Sequence, residues 1–375
     1  MSGVVFLLGN LTGGGSETKM VRMANRFAKS GQDVHVIYLG APHTLRDSID
    51  SAVAVECLER RGKFSIRALR KLRDYIRQHD IDVVFCVNHY PLVYGWPACR
   101  FGGRRYCVAA MNTYEFTSLR DRFFMLIYAF VLRRCDRVVF GSRAQQELWV
   151  DKYRLDRARS QVIYNGVDVD YFANGKIDCE TLGQTIGVNE QSVVIGCVAH
   201  LRPEKSHMDL LEAFNAISRR PGIRAHLLLV GQGPEEERLR EYVEASGLGE
   251  VVHFCGRADD VRPFLALMDV FVLPSSSEVF SNAILEAMAM GCPVICSAVG
   301  GSVEMVLNNE TGLTYERHDV EGLTAKLTDL ITDLDKRQAL GHAGAVRVTN
   351  VFSIEKMDEQ YAAVVRLATE APRDT

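Results

Sequence analysis

Two carboxylates and one lysine carry the most specific chemistry in this chain. Glu278 and Glu286 stand with seven residues between them, on either side of Ser281-Asn282. The apolar run 270–273 is too short for a helix and ends at Pro274, so it predicts a buried strand. Ser281 or Asn282 then caps a helix rich in Ala, Ile, Leu, Met and Glu, which Gly291 and Pro293 stop. An apolar strand over 294–296 follows. Strand, loop, helix and strand make a βαβ crossover, whose loop lies at the carboxyl end of a parallel strand, where open α/β sheets bind ligands. The helix start offers unpaired N–H groups and the positive end of a dipole to a phosphate, and glutamates beside it can take hydroxyls. A sugar nucleotide has that layout. The spacing alone fits equally well a turn cap at Glu278 and a solvated helix residue at Glu286.

The basic partner follows another apolar strand, 193–198, in His200-Leu201-Arg202-Pro203-Glu204-Lys205. An Arg/Lys pair at a strand end beside a helix start can hold a diphosphate and offset charge growing on a departing nucleotide. A surface ion pair of Arg202 with Glu204 or Glu212 is the plainer alternative. Glycine loops lie at 11–17, with Gly14 and Gly15, and at 299–304, with Gly301. Gly231-Gln232-Gly233-Pro234 lacks the third glycine of a dinucleotide fingerprint, which disfavours a dehydrogenase.

Glu278, Phe280-Ser281-Asn282, Glu286-Ala287-Met288-Ala289 and Gly291-Cys292-Pro293-Val294-Ile295 together resemble the signature of retaining, nucleotide-sugar-dependent glycosyltransferases of family 4. The resemblance implies an α/β chain of GT-B fold, two facing Rossmann-like domains with parallel sheets and an interdomain cleft. It implies that Glu278 approaches the transferred sugar, that Glu286 holds the ribose hydroxyls, and that Lys205 and Arg202 meet the diphosphate. The family usually has an arginine five residues before the lysine; His200 takes that place, and Arg202 lies on the same side if the strand continues. Phe280, Ser281, Asn282, Gly301 and Arg257 are expected on the donor side, with Gly14 and Gly15 facing the donor across the cleft. Ser16 departs from the usual small apolar residue of that glycine loop. Asn112 and Thr113 stand where many members have a histidine, and with His89 they form the expected acceptor side. Asp168-x-Asp170 resembles the family's segment entering the linker rather than a metal motif, so no metal and no resident cofactor are expected.

The elements that must position these groups read as follows. Strands are predicted at 4–8, 34–39, 83–87, 106–111 and 138–140, then at 226–230 and 251–255, with 162–172 read as a strand followed by an Asn-Gly turn. Residues 60–77 predict a basic amphipathic helix with Ile66, Leu69, Leu72 and Ile76 on one stripe, and 321–349 and 352–368 read as helix. The expected organisation is an acceptor domain over 1–167, a linker over 168–190, a donor domain over 191–351 and a final helix from 352 crossing back.

At 375 residues the chain suits two domains, and 47% apolar with 24% charged residues are the proportions of a globular protein. Net charge is −3, but residues 1–168 hold 26 Lys/Arg against 16 Asp/Glu, so the first half is basic and the second acidic. Ten cysteines without metal-type spacing read as buried hydrophobes of a reducing, cytoplasmic compartment. Residues 1–10 look like a first strand rather than a signal peptide. The uncharged run 123–132 is too short to span a bilayer, and Arg120, Arg122, Arg133, Arg134 and Arg137 bracket it. A buried helix explains its apolar part; its arginines, with the basic half, favour docking on the anionic face of a membrane.

The expected reaction is transfer of a glycosyl unit from a nucleoside diphosphate sugar to a glycan or lipid-linked hydroxyl, with retention. Nucleic acid is not an expected partner. A nucleotide-sugar epimerase of the same shape and a non-catalytic sugar-nucleotide binder are the competing readings.

Overall fold

Apolar runs alternating with helical stretches build two parallel sheets, each covered by helices on both faces, which is why most of their strands are largely apolar. The computed structural model describes residues 3–370 apart from 63, 104, 113–118, 174–176, 178 and 190. Thr113 therefore lies outside the described residues, as do the side chains of Arg120, Arg122 and Phe123. Two compact units emerge, Met1–Tyr164 with Met357–Thr375, and Asn165–Lys356.

The first unit begins with β1 (Gly3–Leu8), α1 (Gly15–Lys29), β2 (Asp33–Tyr38), β3 (Ala54–Cys57), α2 (Ile66–Gln78) and β4 (Ile81–Val87). It continues with α3 (His89–Phe101), β5 (Tyr106–Met111), α4 (Leu119–Leu132), β6 (Arg137–Phe140), α5 (Arg143–Tyr153) and β7 (Ser160–Val162). The sheet order is β3-β2-β1-β4-β5-β6-β7, with parallel pairing at each step. Chain order reverses between β1 and β4, and the crevice at that reversal is where such sheets take ligands.

The second unit starts with α6 (Val169–Ala173), α7 (Glu180–Thr185), β8 (Val193–Val198), α8 (His207–Ser218), β9 (Ala225–Val230), α9 (Glu236–Ala245) and β10 (Val252–Gly256). Then come α10 (Arg262–Leu267), β11 (Val270–Leu273), α11 (Asn282–Ala289), β12 (Val294–Ser297), α12 (Ser302–Met305), β13 (Leu313–Tyr315), α13 (Val320–Thr332) and α14 (Leu334–Val351). Its order is β10-β9-β8-β11-β12-β13, again parallel, with the reversal between β8 and β11. The last helix, α15 (Ile354–Glu370), belongs to the first unit from Met357 on. There Asp358 takes an ion pair from Arg26, and the buried Tyr361 ring meets Phe85 edge-on at 5.7 Å.

Several elements differ from their sequence reading. The strand expected from Val162 ends there instead: Asp168 Oδ1 accepts from the Tyr171 N–H at 3.0 Å and starts α6. The stretch read as a polar linker thus holds two short helices and is counted with the second unit. Asp333 splits the helix expected over 321–349, because its carboxylate accepts from the Lys336 N–H at 2.9 Å and caps α14. Ile66 does not share the buried stripe of α2: Ala68, Leu72 and Ile76 face the core, while Ile66 is 58% exposed. At 100° per residue Ile66 lies about 120° around the helix from Leu72 and about 80° from Ile76, and it opens the helix.

All ten cysteines are free thiols. Seven are buried; Cys57, Cys179 and Cys255 are half-buried. No helix among the described residues is long and apolar enough to cross a membrane.

Candidate active site

The strongest constellation lies at the carboxyl edge of the second sheet, at the reversal between β8 and β11. After β8 the chain turns through His200 and Arg202 to Lys205; after β11 it turns through Ser275 to Glu278. Lys205 Nζ donates to Glu278 Oε2, and Ser275 Oγ lies 3.5 Å from the same oxygen. The two side chains keep only 21% and 12% of their exposure, so the pair is largely withdrawn from solvent and is screened less by salt than a surface pair. Backbone bonds tie the loops together: the Ser276 N–H donates to Glu204 O at 2.8 Å, and the Gly301 N–H to Glu278 O at 3.3 Å. The loops after β8, β11 and β12 are thereby joined around one carboxylate.

The helix start beside it forms as its sequence requires. Ser281 is the N-cap of α11, its hydroxyl accepting from the Ile284 N–H at 3.4 Å. Asn282 turns elsewhere, its Oδ1 accepting from Asn165 Nδ2 at 3.0 Å. Glu286 is half-buried on the same helix. Phe280 is only 5% exposed and packs edge-on against Phe352 at 5.3 Å, so its ring anchors the loop and only its backbone is left for a ligand.

Arg202 and His200 do not share a strand face, because β8 ends at Val198. The chain bends there: the Leu201 N–H donates to Gln232 O at 3.2 Å and the Arg202 N–H to His200 O at 2.8 Å. Gly231 allows this approach, since a Cβ there would sit 1.9 Å from Ala199 O. Arg202 is 57% exposed and stands 3.9 Å from Glu204, the surface pair that the sequence also allowed, and His200 is exposed. Arg257, after β10, is 65% exposed beside Asp259. The structure therefore draws Lys205 to Glu278 and leaves Arg202, His200 and Arg257 outside that contact.

Sequence reasoning missed His207, the first residue of α8, directly behind Lys205. It is 3% exposed, and burial, reinforced by the Lys205 charge, lowers its pKa to about 4, so the ring is neutral. Its Nε2 lies 3.7 Å from the Cys197 sulfur, whose pKa burial raises to about 12. The i, i+3, i+4, i+7 pattern of His207, Leu210, Leu211 and Phe214 was the available signal of an inward ring.

In the first unit the glycine loop leads into α1 with Gly14 as its N-cap. A Cβ at Gly15 would meet nothing within 4 Å, and one at Gly14 only the ends of the Glu17 and Thr12 side chains, so neither glycine is demanded by packing. His89 opens α3 and meets the Tyr128 ring at 4.7 Å. Asn112 follows β5 and accepts from Lys19 Nζ at 2.9 Å. Lys19, also missed, occupies the position four before Met23, on the inward side of α1. Asp168 is engaged in starting α6, as described above, and no group of three His, Cys, Asp or Glu suited to a metal occurs among the described residues.

Comparison with known proteins agrees with this architecture. Residues 180–347 match the family model for glycosyl transferases group 1, and 13–171 that for Glycosyltransferase Family 4. The chain is 30% identical to a GDP-mannose-dependent alpha-(1-6)-phosphatidylinositol monomannoside mannosyltransferase of Mycobacterium tuberculosis, over 79% of this chain and 78% of that protein. It is 25% identical to the N-acetyl-alpha-D-glucosaminyl L-malate synthase of Bacillus anthracis, over 94% and 93%. Its fold is similar to that of Anabaena HepE crystallised with UDP, with a TM-score of 0.86 at 21% identity over 97% of this chain and 100% of that one. With two parallel-sheet units of this topology and matches to both family models, the chain belongs to the family 4 glycosyltransferases of GT-B fold.

Proposed function

We propose that the chain moves a sugar from a nucleoside diphosphate donor to a hydroxyl of a lipid-linked or polysaccharide intermediate of envelope glycan synthesis, with retention of anomeric configuration. The observation that carries this reading is the Lys205–Glu278 pair beside the Ser281-capped start of α11. The second unit takes the donor: Glu286 meets the ribose, the helix start and Lys205 meet the diphosphate, and Glu278 orients the hexose hydroxyls. Exchange of Glu278 for the diphosphate frees Lys205 to stabilise the departing anion. A double displacement needs a carboxylate nucleophile at the anomeric carbon, about 5 to 5.5 Å from the acid in glycosidases. Glu286 is assigned to the ribose, so a front-face displacement fits better, in which a diphosphate oxygen accepts the acceptor proton. No metal and no resident cofactor enter this scheme.

The first unit takes the acceptor, and its surface favours one held at a membrane. The outward face of α2 carries Arg67, Arg70, Lys71 and Arg77, with Phe64 and Ile66 at its start 55% and 58% exposed. On α4, Ile127 and Phe130 are each 50% exposed, and the Arg134 guanidinium lies 3.5 Å from the centre of the Phe130 ring. Exposed apolar side chains among arginines suit an anionic lipid surface. Arg137 does not join them; it donates to the Tyr106 hydroxyl at 3.2 Å and braces β6.

The deciding experiment is a thermal-shift screen against UDP, GDP, ADP and their common sugars. Mass spectrometry of mixtures containing L-malate, phosphatidylinositol or phosphatidylinositol monomannoside as acceptors completes it. Glycoside products support the reading; an epimerised donor formed without acceptor, or binding without turnover, overturns it in favour of an epimerase or a binding protein.

A further inference from the structure

Lys19 is only 9% exposed, on the second turn of α1. Its Nζ lies 2.9 Å from Asn112 Oδ1, the Asn112 N–H donates to Asn88 Oδ1 at 3.0 Å, and the Asn88 N–H donates to Ala110 O at 2.8 Å. These three residues follow β1, β4 and β5, adjacent strands of the first sheet, and the chain order reverses between the first two. Asn88 holds a left-handed backbone, φ 67°, where it joins β4 to α3.

An ammonium can only donate, so the atom of Asn112 that faces Lys19 is its oxygen, and the amide nitrogen must point away. That nitrogen is buried and has no hydrogen-bond partner among the described residues. A buried donor left unmade is costly, and here it lies at the carboxyl edge of a parallel sheet, one strand from the β1/β4 reversal beside which such sheets bind ligands.

We propose that Lys19 is a positioning residue of the acceptor subsite: it fixes the Asn112 amide so that Nδ2 donates to an oxygen of the acceptor. The proposal rests on the transferase reading above and adds to it the residue that orients the acceptor contact. Burial lowers the Lys19 pKa to about 8, so holding an ammonium there opposes folding at neutral pH.

The test compares wild type, Lys19→Met and Asn112→Asp in steady-state assays, using whichever panel acceptor the wild type glycosylates (L-malate, phosphatidylinositol or phosphatidylinositol monomannoside). Lys19→Met is expected to raise the acceptor KM about tenfold, the worth of one buried hydrogen bond, with the donor KM within about twofold. Its Tm is recorded alongside, so that a folding defect is told apart from the loss of an acceptor contact. Asn112→Asp keeps an oxygen toward Lys19 and removes the donor, so the same acceptor defect should appear in a folded protein. An unchanged acceptor KM in either variant, or a lowered Tm of Lys19→Met with all constants falling together, overturns the proposal. A wild type that neither binds nor turns over any sugar nucleotide fails earlier, in the donor screen; that outcome overturns the transferase reading and this proposal with it.

Discussion

Lys205 and Glu278, 73 positions apart in the chain, form a direct ion pair at the point where the second sheet reverses its strand order. Each is the other's counter-ion. Under the proposed function a diphosphate reaching Lys205 would compete with the carboxylate, and the pair would act as an electrostatic latch. Lys205→Met strands a carboxylate whose side chain is 12% exposed, and should destabilise the protein by about 2 to 3 kcal/mol. Urea unfolding of Lys205→Met, Glu278→Gln and the double variant checks this, because the double variant should recover part of the loss.

Glu278→Gln keeps the shape of the loop and removes the charge. Transfer should fall by about 100-fold or more, roughly 3 kcal/mol, while donor affinity changes little or improves once the competing carboxylate is gone. Initial rates alongside donor titration separate the two effects, and a Glu278→Gln enzyme of near wild-type turnover removes Glu278 from the mechanism.

His207 makes stability depend on pH. Its folded pKa of about 4 lies below the ordinary 6.5, so the unfolded chain binds the extra proton between those values. Stability therefore falls as pH drops from about 6.5 towards 4, by about 3 kcal/mol at most, and this loss is absent above pH 7. Urea midpoints of wild type and His207→Phe between pH 4 and 7.5 should show a flatter profile for the variant.

Ser206, between Lys205 and α8, holds φ 48° and ψ 41°, a left-handed conformation that penalises any side chain. Ser206→Gly should stabilise the protein by about 0.5 to 1 kcal/mol after glycine's greater unfolded-state entropy is deducted. A lowered denaturation midpoint would show that the serine contributes more than its strain costs.

If the basic surface of the first unit docks on lipid, binding to phosphatidylserine vesicles should weaken as salt rises from about 50 to 500 mM, a range over which the Debye length shortens severalfold. Arg67→Glu with Arg70→Glu should abolish most of it. Vesicle sedimentation reads both, and equal binding to phosphatidylcholine vesicles counts against the surface.

Much of this was legible in the chain because local physics decides it. The apolar runs of β1, β2, β4 to β6 and β8 to β12 lie where strands were expected, and of the two caps open at the start of α11 the structure uses Ser281. The edge strand β3 escaped because four residues give no periodicity to read, and β7 was expected to run on from Val162, where it ends. Helix α3 escaped because Pro91 and Pro97 argue against a helix; Pro91 stands in its first turn, where its missing N–H has no partner to lose, but Pro97 lies in the interior. At the site, Lys205 and Glu278 were singled out by their places at strand ends and given roles by resemblance; their contact could not be read, since one between loops after two different strands leaves no trace in spacing. The expected alignment of His200 with Arg202 depended on a strand that stops at Val198. Lys19 stayed hidden because a lysine within an amphipathic helix ordinarily reaches water.

The placement of α15 has a consequence for biogenesis. Asp358 and Tyr361 complete the packing around Arg26 and Phe85, yet they leave the ribosome only after all of the second unit. Until then the nascent first unit lacks a wall of its core, and a chaperone that shields this open face would find its client among chains whose amino-terminal sheet is already made.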